Sequence, residues 1–144
     1  MIKKERKHAL QMSEDELIWC QTRAILAANY LVVTKHAKNR YSGRHLYINP
    51  AEVGFMMTTG QVIEYERCYI GAEVEYIGAE NIPVTIPAHT EERVVMRCHY
   101  QVQMDLSIVI DITNNKVITL WTNSTEDRHQ SLNLSLYNRN LKVY

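Results

Sequence analysis

The chain has 144 residues, 46% hydrophobic and 22% charged, with 16 basic and 16 acidic side chains and a formal net charge of zero. That balance suits one globular domain with a real hydrophobic core and argues against a disordered chain. Zero net charge also argues against strong sequence-independent nucleic-acid binding, which shows as a basic domain, so any electrostatic attraction must be local.

No run of about 18 apolar residues is present, so no membrane partner is expected. The opening MIKKERKHALQMSEDEL is charged where a signal peptide needs an apolar stretch, and a cytoplasmic location is expected. Cys20, Cys68 and Cys98 form no C-x-x-C pair and suit reduced thiols better than a disulfide framework.

Ser13 and Glu16 form a capping box, S-x-x-E, with Asp15 also in the first turn. Leu17, Cys20, Ala24, Ala28 and Leu31 then recur at three- and four-residue spacing, which predicts a helix over about residues 14 to 32. Thr34 is placed to cap a second short helix, on which His36 and Arg40 would share a face. In "NPAEVGFMMTTG", Asn49 caps a third helix, Pro50 takes its first position, Glu52 completes the box and Gly60 ends it. Val53, Met56 and Met57 would point inward.

The period then changes. "QVIEYE" (residues 61–66) alternates like a strand, and residues 70–92 read as a long hairpin or loop. Residues 93–103 and 106–112 are strand-like, and Asn114-Asn115 marks a tight turn into a strand over 116–123. The polar tail ends in "LKVY", read as a short strand. Helices first and antiparallel strands after imply an α+β fold.

Charge is unevenly spread. Lys35, His36, Lys38, Arg40, Arg44 and His45 crowd "TKHAKNRYSGRH", where no acidic residue occurs. Between Glu64 and Glu92 there are seven glutamates and one basic residue, Arg67. The basic stretch is either a solvated helix face or an anion site. The histidines show no H-x-x-x-H spacing, so no metal site is expected. No nucleophile elbow or glycine-rich phosphate loop is present, which disfavours nucleotide hydrolysis.

RNA cleavage needs none of these, because the 2′-hydroxyl is the nucleophile. The enzyme supplies an acid, a base and positive charge for the phosphorane-like transition state. Histidine titrates near neutral pH, arginine grips phosphate bidentately, and hydroxyls and amides donate to developing charge. A His36/Arg40 face opposite a strand carrying Thr119, Trp121 and Asn123 would supply that set. Alternation puts those three on one side of the strand and Ile118, Leu120 and Thr122 on the other. Each residue also has a plainer reading as a solvated or core-edge side chain.

Together, "TKHAKNR", "TTGQVIEYE", "ERVVMRCHY", "IVIDITNNKVITLWTN" and "DRH" resemble the small domains of unknown function in the RelE/barnase/EndoU/colicin superfamily, found in phages and bacterial toxins. The resemblance covers about residues 34 to 129. It implies N-terminal helices packed on a twisted antiparallel sheet of about four strands, and metal-independent RNA cleavage leaving a 2′,3′-cyclic phosphate, with no cofactor. His36 and Arg40 match the helical His/Arg, Arg97 a basic residue of the middle strand, and Thr119 and Trp121 the final strand. His129 and Tyr137 match loosely.

His36 would then be the general acid or base. Arg40 and Arg97 would hold the phosphate, and Thr119 with Asn123 would donate hydrogen bonds. Lys35, Lys38, Arg44, His45, Trp121 and His129 would draw in and bind RNA. The chain would divide into an N-terminal helical part (1–33), the superfamily-like core (34–129) and a tail (130–144). It departs from the pattern in its long acidic insertion from Tyr69 to Glu92 and in its neutral charge. Both favour the alternative of a non-catalytic, phage-type binding or inhibitor protein that uses the acidic 64–92 segment on an immunity partner or host protein.

Overall fold

The Ser13 capping box forms as its sequence predicts. The Glu16 N–H donates to Ser13 Oγ (3.2 Å), and the Ser13 N–H donates back to Glu16 Oε1 (3.0 Å). In the computed structural model, which describes residues 2–29, 32–33, 50–126 and 132–144, this box starts helix α1 (Glu14–Asn29). The helix is shorter than the expected 14–32, and Val32–Val33 instead form a two-residue strand, β2. Two adjacent β-branched side chains favour that extended state. The expected second helix and the Asn49 cap lie outside the described residues. Helix α2 (Pro50–Met57) has Pro50 at its start, as read from the sequence.

Residues 2–8 correct the expectation of purely helical N-terminal structure. They form strand β1 (Ile2–His8). Its sequence, IKKERKH, shows no apolar alternation, because charge lines both faces of an edge strand. The remaining strands are β3 (Gln61–Ile70), β4 (Glu73–Ile77), β5 (Ile82–Ile86), β6 (His89–Gln101), β7 (Met104–Asp111) and β8 (Lys116–Ser124). One sheet runs in the order β1-β3-β6-β7-β8-β2, all antiparallel except the short β2–β8 pair. β4 and β5 pair separately as a two-stranded ribbon. The chain is thus α+β with one long helix, and it has more strands than expected.

α1 packs on one face of the sheet through Cys20, Ala24, Ala27 and Ala28, all buried. Small side chains let the helix backbone approach closely, so the sheet supplies the bulk. Val94, Met96 and Cys98 of β6, Leu106, Ile108 and Ile110 of β7, and Val117 and Leu120 of β8 fill that core. Tyr65 of β3 is fully buried with them, its ring edge-on to Trp19 (6.2 Å, 71°) and its hydroxyl donating to Glu92 Oε2 (2.6 Å).

The tail is not the expected strand. It wraps β1. The Asn138 N–H donates to Arg6 O (2.7 Å), and Lys7 Nζ donates to Leu141 O (3.1 Å) and to both oxygens of Glu16. Leu141 and Val143 enter the core. The "TNNK" turn forms: Asp111 Oδ1 accepts from the Thr113 and Asn114 N–H groups (2.9 Å each), and Asn115 takes φ 56°.

Gly60 ends the α2 turn where the backbone meets β6. A Cβ there would lie 2.8 Å from Cys98 Sγ and 3.3 Å from Arg97 O. Gly60→Ala is expected to lower stability by about 1–3 kcal/mol, read as a lower denaturation midpoint with an unchanged slope.

Candidate site on the polar face of the sheet

The face opposite α1 is polar. Cross-strand partners share a face, and the register pairs Arg97 with Ser107 and Ser107 with Trp121. It also pairs Val109 with Thr119 and Asp105 with Asn123. Arg97, Ser107, Thr119, Trp121 and Asn123 therefore lie on one side of three adjacent strands. A bulge places this row: Val109 pairs with Thr119 but Ile110 with Val117, so Ile118 is the extra residue. Strict alternation would put Val117 on the polar side; the bulge returns it to the core, where it is buried.

Within the row, Arg97 Nε donates to Asp105 Oδ2 (2.8 Å) and its Nη2 to Ser124 O (2.9 Å), so the guanidinium reaches across β7 to the end of β8. Ser107, almost fully buried, donates to Asn123 Oδ1 (2.6 Å). Thr119 Oγ1 is buried and finds no hydrogen-bond partner among the described residues. Beyond Arg97, the exposed His99 places Nδ1 3.6 Å from Asp105 Oδ1, so one carboxylate faces both side chains.

Farther along the same face lies a second polar group. Glu64 and Glu66 of β3 are buried. Arg6 Nη1 is 3.8 Å from Glu64, Lys4 Nζ is 3.7 Å from Glu66, and Arg93 is Glu66's partner in register. Tyr137 donates to Glu64 Oε1 (3.2 Å), stands edge-on to His8 (5.3 Å) and carries Arg6 over its ring (4.5 Å). Burial, and then the neighbouring Glu66 charge, push the Glu64 carboxyl up to about 7. Glu64 is only 8% exposed, so it serves here to hold the C-terminal segment against β1.

Of the residues the sequence singled out, Arg97, Thr119, Trp121 and Asn123 come together. His36, Arg40, Lys35, Lys38, Arg44, His45 and His129 lie outside the described residues. Tyr137 sits on β1 and β3, away from the Arg97 row. Sequence reasoning passed over Asp105, Ser107 and the Glu64–Glu66 pair. Their signal was present as the polar half of the alternation, Ser107 in "LSIVIDI" and the two glutamates in "VIEYE". Among the described residues, no three His, Cys, Asp or Glu side chains are grouped to hold a metal, and no helix is long and apolar enough to cross a membrane.

Compared with known proteins, the chain matches no family model, no curated protein and no solved structure.

Two outcomes follow from this geometry. Asp105→Ala leaves the largely enclosed Arg97 without its carboxylate and is expected to cost about 1–3 kcal/mol; a double-mutant cycle with Arg97→Ala should return a non-zero coupling. For Glu64, burial and the Glu66 charge raise the folded carboxyl to about 7, against 4.5 ordinarily. The folded state therefore holds more protons than the unfolded state between those values, and stability falls as pH rises through that window. Urea midpoints at about pH 5 and about pH 8 should differ in the parent protein and converge in Glu64→Gln.

Proposed function

We propose that the protein acts on RNA as a metal-independent, ribonuclease-like domain, with the polar row of β6–β8 as part of its substrate face. The supporting observation is the convergence of Arg97, Ser107, Thr119, Trp121 and Asn123 on the face opposite α1. Arg97 is held in one orientation by Asp105 and by the Ser124 carbonyl, which fixes a guanidinium charge on this face. Thr119 brings a hydroxyl with no partner among the described residues, a group suited to donate to charge that develops on phosphoryl oxygens. Trp121, half-buried on the same face, offers a ring on which a base can stack. His36 and Arg40, by the resemblance, are the acid–base group and the second phosphate clamp. Attack by the 2′-hydroxyl forms the bond to phosphorus, the 5′-oxygen leaves with a proton, and a 2′,3′-cyclic phosphate remains.

The expected result is cleavage of purified cellular RNA in the presence of chelator. His36→Ala should lower the rate by about 10²–10⁴-fold and Thr119→Val by about 10²-fold, with both variants retaining the parent's thermal midpoint within a few degrees. RNA left intact by the parent protein at high concentration overturns the reading.

One observation favours a second reading, a non-catalytic binding or inhibitor protein that uses the acidic 64–92 segment. The β4–β5 ribbon in that segment is exposed at every residue but Ile86, which is half-buried.

A further inference from the structure

RNA transesterification moves two protons, one from the 2′-hydroxyl and one to the leaving 5′-oxygen, and His36 is only one of the two groups needed. The polar face holds another imidazole in a defined place. His99 stands two residues beyond Arg97 on β6, so both lie on the face opposite α1. The register continues the row there, pairing His99 with Asp105 and Asp105 with Asn123. His99 is the open member of the group. Its side chain is 70% exposed, against 11% for Arg97 and 19% for Asp105.

The corner around it is tied down. Arg97 Nε donates to Asp105 Oδ2 (2.8 Å) and Nη2 to the Ser124 carbonyl (2.9 Å), while the Thr125 N–H donates to the Gln103 carbonyl (3.1 Å). The ends of β6, β7 and β8 are thereby joined, and β3 pairs with β6 only as far as Arg97–Gln61. The register sets two charged side chains beside the ring, Arg97 on its own strand and Asp105 on β7, and β8 adds the neutral Asn123. Asp105 gives one oxygen to each neighbour, Oδ2 to Arg97 and Oδ1 to His99 Nδ1 at 3.6 Å. A carboxylate on that side favours the tautomer with its hydrogen on Nδ1 and leaves the lone pair on Nε2. The separation exceeds a hydrogen bond, and such contacts tighten when substrate binds.

Nε2 makes no hydrogen bond among the described residues. The other described histidines are placed differently. His8 is buried, and both ring nitrogens of His89 are engaged, by the Pro87 carbonyl and by Glu91. An open Nε2 backed by a carboxylate on the polar face is found only at His99.

We propose that His99 is the general base of this site, with Asp105 as its positioning residue and a single-stranded RNA phosphodiester as substrate. The inference rests on the ribonuclease reading and deepens it. His99 Nε2 takes the 2′-hydroxyl proton as the 2′-oxygen bonds to phosphorus. The bond from phosphorus to the 5′-oxygen breaks, and that oxygen leaves with a proton from the acid, His36 by the resemblance. The imidazolium left at His99 lies beside the Asp105 carboxylate, which offsets its charge. Trp121 stands in the adjacent row, two strands away at about 5 Å per strand. A nucleotide stacked on its indole lays its ribose toward the His99 corner.

Two substrates test the assignment in the presence of chelator: the dinucleotide UpA, and uridine 3′-(4-nitrophenyl phosphate), whose leaving group needs no proton. His99→Ala should lower kcat by about 10²–10⁴-fold on both, with KM within about threefold, and remove the acidic limb of the kcat–pH profile. His36→Ala should be slow on UpA alone. His89→Ala, remote from the row, should keep the parent rate. Since His99 is exposed, its replacement should leave the thermal midpoint within about 2 °C. Imidazole ¹⁵N shifts should place the neutral ring's hydrogen on Nδ1, and Asp105→Asn should lose that preference. Hydrogen on Nε2 in the parent overturns the assignment. If the parent cuts both substrates and His99→Ala matches it, or loses only KM, the base assignment falls and the ribonuclease reading stands. Rescue of His99→Ala by the nitrophenyl ester also overturns it, by making His99 the acid. A parent that cuts neither substrate overturns both readings.

Discussion

The approach of α1 to the sheet sets the rest of the structure. Cys20, Ala24, Ala27 and Ala28 present almost no side chain, so the helix backbone lies close and the apolar bulk comes from β3 and β6–β8. Every strand residue that fills this core sends its neighbours to the far face. Since Val94, Met96 and Cys98 point at the helix, Arg93, Val95 and Arg97 cannot. The polar row is the back of the core, and its geometry is as rigid as the packing beneath it. The Ile118 bulge shows this dependence directly, because it keeps Val117 buried and Thr119 on the polar side.

Polar groups on that face are held by partners close at hand. Asp105 meets Arg97, Ser107 meets Asn123, and Tyr137 with Arg6 meets Glu64. Buried polar atoms cost stability unless hydrogen-bonded, and on this face Thr119 Oγ1, Glu64 Oε2 and Arg93 Nε are buried without a hydrogen-bond partner among the described residues. The edge strand follows a similar logic. The tail crosses β1, bonds Arg6 and Lys7, and drops Leu141 and Val143 into the core, which covers an edge that would otherwise invite pairing. The ribbon has no such cover, and its apolar side chains face water on both sides.

Much of this was legible locally. The Ser13 box, Pro50 at a helix start, the Asn114-Asn115 turn and the strands over 61–66, 93–103, 106–112 and 116–123 rest on short-range signals, and each forms within a few residues of its expected bounds. β1 was not legible, because IKKERKH owes its strand state to pairing with β3, more than fifty residues away in sequence. The tail's "LKVY" was misread as a strand for a related reason: Leu141 and Val143 are apolar in order to be buried, not in order to pair. Residues 70–92 had too little periodicity to separate hairpin from loop, and β4–β5 resolve it as a hairpin.

The sequence by itself determined the α+β class, the start of the long helix and the alternation that puts Thr119, Trp121 and Asn123 on one side of their strand. These depend on capping, turn chemistry and a period of two, which act over a few residues. Only the tertiary structure decided that Arg97 joins them, that Asp105 and Ser107 complete the row, and that Tyr137 belongs with Glu64 instead. It also decided that the acidic segment stands out as a bare ribbon. Those outcomes depend on register between strands distant in sequence, where a shift of one residue would turn every side chain to the opposite face.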